Sequence, residues 1–294
     1  MTFKRVGIIG GSGLGQALGQ LTHGESHVVE TPFGPPSAPI VTGELSGVPV
    51  ALLPRHGVGH VFSPTGVPYR ANLFALKKLG VTHLLTTSAV GSLREEIAPR
   101  DLVVPDQLID KTYRRASTFF DHLAVHVELA NPYCSGLRQV LLDAARRTKA
   151  RVHDGATLVV MEGPQFSTRA ESELHRAHGA HLIGMTSLPE AKLAREAELC
   201  CATLALPTDY DCWRPHPGEL DKHELLKEII GNLEVATQNA LEVLRHALPL
   251  VAERFTKPCA CQSALELGIW TDKKKVPAAE VQRLDVLLGR HFKD

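Results

Sequence analysis

Short apolar runs alternate along the chain with longer amphipathic stretches, and each run stops at small or charged residues. Val6 to Gly10 reads as a first strand, and Gly10-Gly11-Ser12-Gly13-Leu14-Gly15 follows as a tight turn whose backbone N–H groups suit an anion. Residues 38–53 alternate as a hairpin, with Leu45-Ser46-Gly47-Val48 as the turn and a second strand ending at Pro54-Arg55-His56-Gly57. Between Arg70 and Leu79, the positions Leu73, Phe74, Leu76 and Leu79 form a helix face, and Gly80 is a natural stop before a strand over Thr82–Thr87. Ser88-Ala89-Val90-Gly91-Ser92 then reads as a small-residue loop that lets backbone approach a ligand.

Further strands are expected at Leu102–Val104, Thr157–Met161 and His181–Met185, with helices over Leu137–Thr148, Arg169–His178 and Pro189–Leu199. The apolar run Cys200 to Leu206 continues through Pro207-Thr208 to end at Asp209. After Pro217-Gly218 the pattern turns helical. Leu225, Leu226, Ile229, Ile230, Leu233 and Ala236 form a stripe, continued by Leu241 and Leu244 until Pro249 interrupts it, and an amphipathic segment Pro277–Phe292 is expected to cover the sheet. Alternation of this kind predicts an α/β fold: one domain over residues 1–294, a central mixed, mostly parallel sheet flanked by helices, and a mainly helical part at 219–294. There is no internal repeat and no linker.

Composition narrows the function. With 294 residues, 44% of them hydrophobic, the chain can bury a substantial core. Lys plus Arg equals Asp plus Glu at 32 each, so no net basic field draws nucleic acid or an anionic membrane. No apolar stretch has the length of a membrane span, and a cytoplasmic location is expected. None of the six cysteines lies in a C-x-x-C pair or in a histidine pattern with structural-zinc spacing, which gives metal binding little support. Cys259-Ala260-Cys261 could close a small strained disulfide, or stay as thiols in a reducing compartment.

The candidate chemistry sits at strand ends. Asp209 and Asp211 follow a buried strand at a spacing that points both the same way if the chain stays extended. The opening glycine turn suggests a dinucleotide fold, with Glu30 at the distance of a ribose-binding acid, but Gln16 stands where the third glycine belongs. No Gly-Lys-Ser/Thr follows either, so what survives is a one-phosphate turn carrying Ser12. Arg55 offers a planar fork for an oxyanion, His56 a hydrogen-bond donor and Thr186 a hydroxyl.

Six separated motifs then carry a resemblance. Gly10-Gly11-Ser12-Gly13-Leu14, Arg55-His56-Gly57, Ser88 to Glu96, Glu162-Gly163-Pro164-Gln165-Phe166-Ser167, Gly184-Met185-Thr186 and Thr208-Asp209-Tyr210-Asp211 occur in this order. Over about residues 5–247 the chain resembles the 5′-methylthioadenosine phosphorylases, of the trimer-forming class of purine nucleoside phosphorylases. The resemblance implies a nucleoside and inorganic phosphate as substrates, no metal or organic cofactor, and a homo-oligomer that is a trimer or a dimer of trimers. It implies that Ser12, Arg55, His56, Ser88, Ala89 and Thr186 hold phosphate, with His60 near them, while Met185 lies against the ribose and Phe166 and Ser167 against the purine. Asp209 is then the acid at purine N7, assisted by Asp211. Relatives acting on 6-oxopurines carry asparagine at the position of Asp209 and glutamate at that of Ser167, so both residues favour adenine. His126 aligns with a histidine borrowed from the neighbouring subunit, and Leu225 with the lining of the methylthio pocket. The Cys259–Cys261 pair looks like a feature of some thermostable archaeal relatives. The competing readings are a broader purine nucleoside phosphorylase acting on adenosine or inosine, a nicotinamide-dependent oxidoreductase, and a noncatalytic nucleoside-binding subunit.

Overall fold

The computed structural model describes residues 4–11, 21–214 and 221–292, and Ser12, Gln16, Pro217 and Gly218 therefore lie outside the described residues. Among the described residues eleven strands form one sheet, the long β5 (Val81–Ser92) at its centre. On one side β5 pairs in parallel with β1 (Arg5–Gly10), which pairs in parallel with β4 (Val48–Pro54). β3 (Ile40–Leu45) closes an antiparallel hairpin with β4, and β2 (Thr22–His27) flanks β3. On the other side β11 (Cys200–Asp209) lies parallel to β5 and meets the short β6 (Leu102–Val104), itself parallel to β8 (Val152–Asp154). The far end of β5 bends to an antiparallel contact with β10 (Leu182–Gly184), which continues in parallel through β9 (Thr157–Met161) to β7 (Gln107–Lys111).

The inner strands β1, β4 and β11 are largely apolar because both of their faces are covered. Val6 and Ile8, Val50 and Leu52, Leu85, and Cys200, Ala202, Leu204 and Leu206 point into one cluster, under α2 (Ser135–Ala145) and α5 (Lys222–Ala252). Their neighbours Ile9, Ala51, Leu53, Leu84, Cys201 and Ala205 point into the other, under α1 (Tyr69–Lys78) and α4 (Ser187–Glu196). This is the period-two alternation of a strand with a hydrophobic environment on either side. Leu284, Leu287 and Leu288, from the short helices α6 (Ala278–Arg283) and α7 (Asp285–Leu288) and their junction, are buried in the second cluster, so the terminal amphipathic segment does pack on the fold. Between β9 and β10, α3 (Arg169–Ala177) starts with a complete capping box, Thr168 and Glu171 satisfying each other's backbone N–H.

Four expectations change. Ser88 to Ser92 is strand, not loop, because β10 and β11 both supply partners for its backbone. Asp211 adopts a left-handed conformation (φ 50°), so the chain turns after Asp209 and strand alternation does not align the two acids. Pro249 does not end α5, since only three residues follow it and the Glu253 N–H still bonds its carbonyl at 3.2 Å. Leu226 and Ile230 belong to the exposed side of that helix, while Leu225, Ile229 and Leu233 turn inward.

Candidate active site

Parallel strands place their carboxyl ends along one edge, and there the chain encloses a cavity of about 510 Å³. Arg55 and His56 reach it from the end of β4, Ala89 to Gly91 from β5, Met185 and Thr186 from the end of β10, and Thr208, Asp209 and Asp211 from the end of β11. The β9–α3 connection adds Phe166 and Ser167, and α5 closes the far side with Leu225, Ile229, Leu233 and Leu241.

One end of the cavity gathers a buried cation and hydrogen-bond donors. The Arg55 side chain is 1% exposed and its guanidinium is clamped by Glu190: Nε donates to Oε1 at 2.6 Å and Nη2 to Oε2 at 2.9 Å. Nη1 donates to the Thr87 carbonyl at 2.8 Å. A guanidinium has five N–H groups, so these contacts fix the fork and leave N–H donors for a ligand. Burial acts against the charge, but the Coulombic and hydrogen-bonded contact with Glu190 outweighs it and holds Arg55 above its ordinary pKa. Gly11, just beyond β1, comes close here: a side chain on it would begin 3.8 Å from Arg55 Nη1. Ser88 lies behind the wall, sharing a 3.0 Å hydroxyl–hydroxyl hydrogen bond with Thr186, whose side chain lines the cavity.

His56 stacks on His60 with ring centroids 4.1 Å apart and planes 9° off parallel, so His60 joins the wall as expected. Burial pushes His56 down to about 4, with Arg55 lowering it further against the Phe62 contact. The ring is therefore neutral at neutral pH, and Nδ1, 2.8 Å from the Phe62 carbonyl, must carry the proton. Nε2 is then an acceptor. The donor role expected of His56 requires a proton supplied by, or together with, the ligand.

The opposite end gathers the acids. Thr208 Oγ1 donates to Asp209 Oδ2 at 2.7 Å, and the Asp211 N–H donates to Asp209 Oδ1 at the same distance. The left-handed turn at Asp211, rather than extended chain, thus joins the two residues. Asp211 Oδ2 is buried with no hydrogen-bond partner among the described residues, an acceptor left for a ligand to satisfy. Gly91 makes room for both: a Cβ there would stand 3.2 Å from Asp211 Cβ and 3.3 Å from Asp209 Oδ1. Ser167 is held by the Cys212 thiol, which donates to its carbonyl at 3.3 Å.

A second buried ion pair supports the middle. Arg115 Nε meets Glu162 Oε1 at 3.2 Å, and Arg115 also donates to the carbonyls of Met185, Glu162 and Leu188. Glu162 Oε2 accepts the Tyr113 N–H at 2.8 Å. Together they fix the backbone on both sides of Met185, whose thioether fits only because Gly163 has no side chain; a Cβ would come within 2.5 Å of Sδ. Neither Glu190 nor Arg115 was legible beforehand, because a charged residue on a helix or in a loop ordinarily reads as a solvated face. Glu162 stood in a recognised motif without a role.

Two expected residues sit apart. His126 is exposed and does not line the cavity of its own chain; it packs edge-on against Trp270 at 4.9 Å. Phe166 lines the mouth but is 83% exposed.

The model of the phosphorylase superfamily matches residues 5–249. An S-methyl-5′-thioadenosine phosphorylase of Cereibacter sphaeroides is 50% identical over 98% of this chain and 98% of its own, and that of Geobacter sulfurreducens is 48% identical over 97% and 98%. The chain belongs to this phosphorylase family. The fold agrees with it: a methylthioadenosine phosphorylase from an Antarctic soil metagenomic library superposes with a TM-score of 0.89 at 46% identity, covering 98% of this chain and all of that one. A Schistosoma mansoni methylthioadenosine phosphorylase in complex with tubercidin gives 0.83 at 37% identity, covering 91% and 99%.

Within this family member the Arg55–Glu190 pair is a structural commitment. Removing the carboxylate in Glu190→Ala should cost about 3–5 kcal/mol of stability by leaving a buried cation unpaired, and Glu190→Gln should cost less, both read from urea denaturation. Acid should also weaken the fold. His56 and His83 are both held near 4 by burial, so as pH falls from about 6.5 to about 4 the unfolded chain takes up protons that the folded chain refuses. Urea midpoints should therefore fall over this window, and His56→Asn should flatten the decline.

Proposed function

We propose that the chain catalyses phosphorolysis of 5′-methylthioadenosine, giving adenine and 5-methylthioribose 1-phosphate, with inorganic phosphate as co-substrate and no organic cofactor or catalytic metal. One observation carries this reading: a single cavity holds an Arg55–Thr186 anion end and an Asp209–Asp211 acid end, with Met185 between them. Phosphorolysis needs that polarity. A phosphate oxygen forms a bond to C1′ as the C1′–N9 bond breaks. The electrons leave with the purine, and N7 takes a proton or strong hydrogen bond from Asp209. Phosphate itself stabilises the positive charge that develops on the ribose, and the pre-set donors of Arg55 and Thr186 hold it there without reorganisation.

Adenine fits the acid end by hydrogen-bond type. Its 6-amino group donates, and the buried, unpartnered Asp211 Oδ2 accepts. Relatives of known structure are described with adenine and with methylthioadenosine bound. The aliphatic face of α5, with Leu225, Ile229 and Leu233, supplies an apolar wall suited to the 5′-methylthio group. A broader specificity has its own support, since one Schistosoma mansoni relative is described as an adenosine/methylthioadenosine phosphorylase. We read the assembly as a homotrimer in the cytoplasm, in which His126, beside the exposed Leu267 and Trp270, caps the cavity of a neighbouring copy. Among the described residues no helix is long and apolar enough to cross a membrane.

Adenine release from methylthioadenosine should require phosphate and exceed hypoxanthine release from inosine; equal use of inosine would overturn the assignment at Asp209 and Ser167. Asp209→Ala should lower turnover by about 10²–10⁴, and a loss under about threefold would remove it as the general acid.

A further inference from the structure

Four of the six cysteines converge far from the cavity. The sulfurs of Cys134, Cys200, Cys259 and Cys261 all lie within 4.8 Å of one another, although they come from three separate parts of the chain. Cys134 caps the amino end of α2, Cys200 opens β11, and Cys259 and Cys261 flank the start of a short 3-10 helix (Ala260–Ser263) beyond α5. Cys201 is not part of the group, because the next side chain along a strand faces the opposite core. Three of the four are buried and Cys259 is half-buried, and all are free thiols.

The geometry points to a tetrathiolate metal site, and we propose that these four cysteines bind one divalent thiophilic ion, Zn²⁺ in the first instance. Four ligands at about 2.3 Å from a central ion form a tetrahedron with sulfur–sulfur edges of about 3.8 Å. Cys134 and Cys259 stand 3.7 Å apart, too far for a disulfide and close to that edge. Cys134 stands at the amino end of α2, where the helix dipole favours a thiolate. Binding would form four metal–sulfur bonds and release the thiol protons to solvent, with no electron transferred.

Such a site would be structural. A closed four-thiolate shell has no open position for substrate, and β11 separates it from Asp209 by about 30 Å. Its effect would be to fasten the segment after α5 to the start of the central strand.

Full-length protein purified without chelator should carry about one zinc per chain by inductively coupled plasma mass spectrometry. Cys259→Ser and Cys261→Ser should each bring this below about 0.2 per chain while phosphate-dependent adenine release changes by less than about threefold. Should those variants fail to fold, Co²⁺ added to the metal-stripped native chain must produce the visible bands of tetrahedral thiolate cobalt with a one-to-one endpoint. Four freely titrating thiols on a metal-free chain that gives no cobalt bands would overturn the proposal. So would peptides joined by a Cys259–Cys261 or Cys134–Cys200 disulfide, lighter by two hydrogens for each bond.

Discussion

Strand β11 is covered on both faces, and that constraint organises the molecule. From Cys200 to Leu206 every side chain is buried, alternately in one core and the other. A strand in that position holds polar groups only where partners await them, as the Thr203–Thr86 hydroxyl pair shows at 2.7 Å. Reactive groups collect at its ends. At the carboxyl end Asp209 and Asp211 enter the cavity; at the amino end Cys200 joins three other sulfurs. Both ends are fixed to one strand.

Charge inside the fold is handled by pairing. Arg55 and Arg115 are each about 1% exposed at the side chain, and each is matched by one carboxylate, Glu190 or Glu162. Pairs of this kind contribute little net stability against an apolar replacement, so position is what they supply. Arg55 is offered to a ligand with part of its donor set already committed and its charge largely neutralised. A bound anion therefore meets oriented N–H groups rather than a diffuse positive field, which suits a nucleophile that must bind firmly and still react. Arg115 does the same for backbone, holding the carbonyls around Met185 in place.

The sequence carried much of this, unevenly and for physical reasons. Strands buried on both faces were legible as apolar runs, and Gly80 and the 45–48 turn marked boundaries where the structure has them. β2, Thr-His-Gly-Glu-Ser-His, was not legible: it is an exposed edge strand, defined by its pairing with β3 and not by any periodicity of its own. Ser88–Ser92 misled for the opposite reason, because small polar residues read as loop while two neighbouring strands hold them extended. Of the residues that line the cavity, those at strand ends stood out in the sequence. Glu190 and Arg115 were missed because burial of a charge is a tertiary fact. The spacing of the cysteines contains no local zinc motif, and spacing says nothing about ligands brought together from residues 134, 200, 259 and 261.

The exposed Phe166 bears on the homotrimer proposed above. An aromatic ring 83% open to water at the mouth of a site with an aliphatic wall is poorly placed to exclude solvent by itself. Phosphorolysis competes with hydrolysis at the same carbon, and a water admitted beside the ribose would divert the cationic sugar from phosphate. Within one chain the described residues supply walls for the anion and the base but leave this edge open. His126, on a separate exposed edge beside Trp270 and Leu267, is the reciprocal feature: a ring with no role in its own cavity. A symmetric arrangement in which each copy lends that edge to the next would close the mouth and bury both apolar patches together. Oligomerisation would then act on the chemistry, by keeping water away from the bond that phosphate must form.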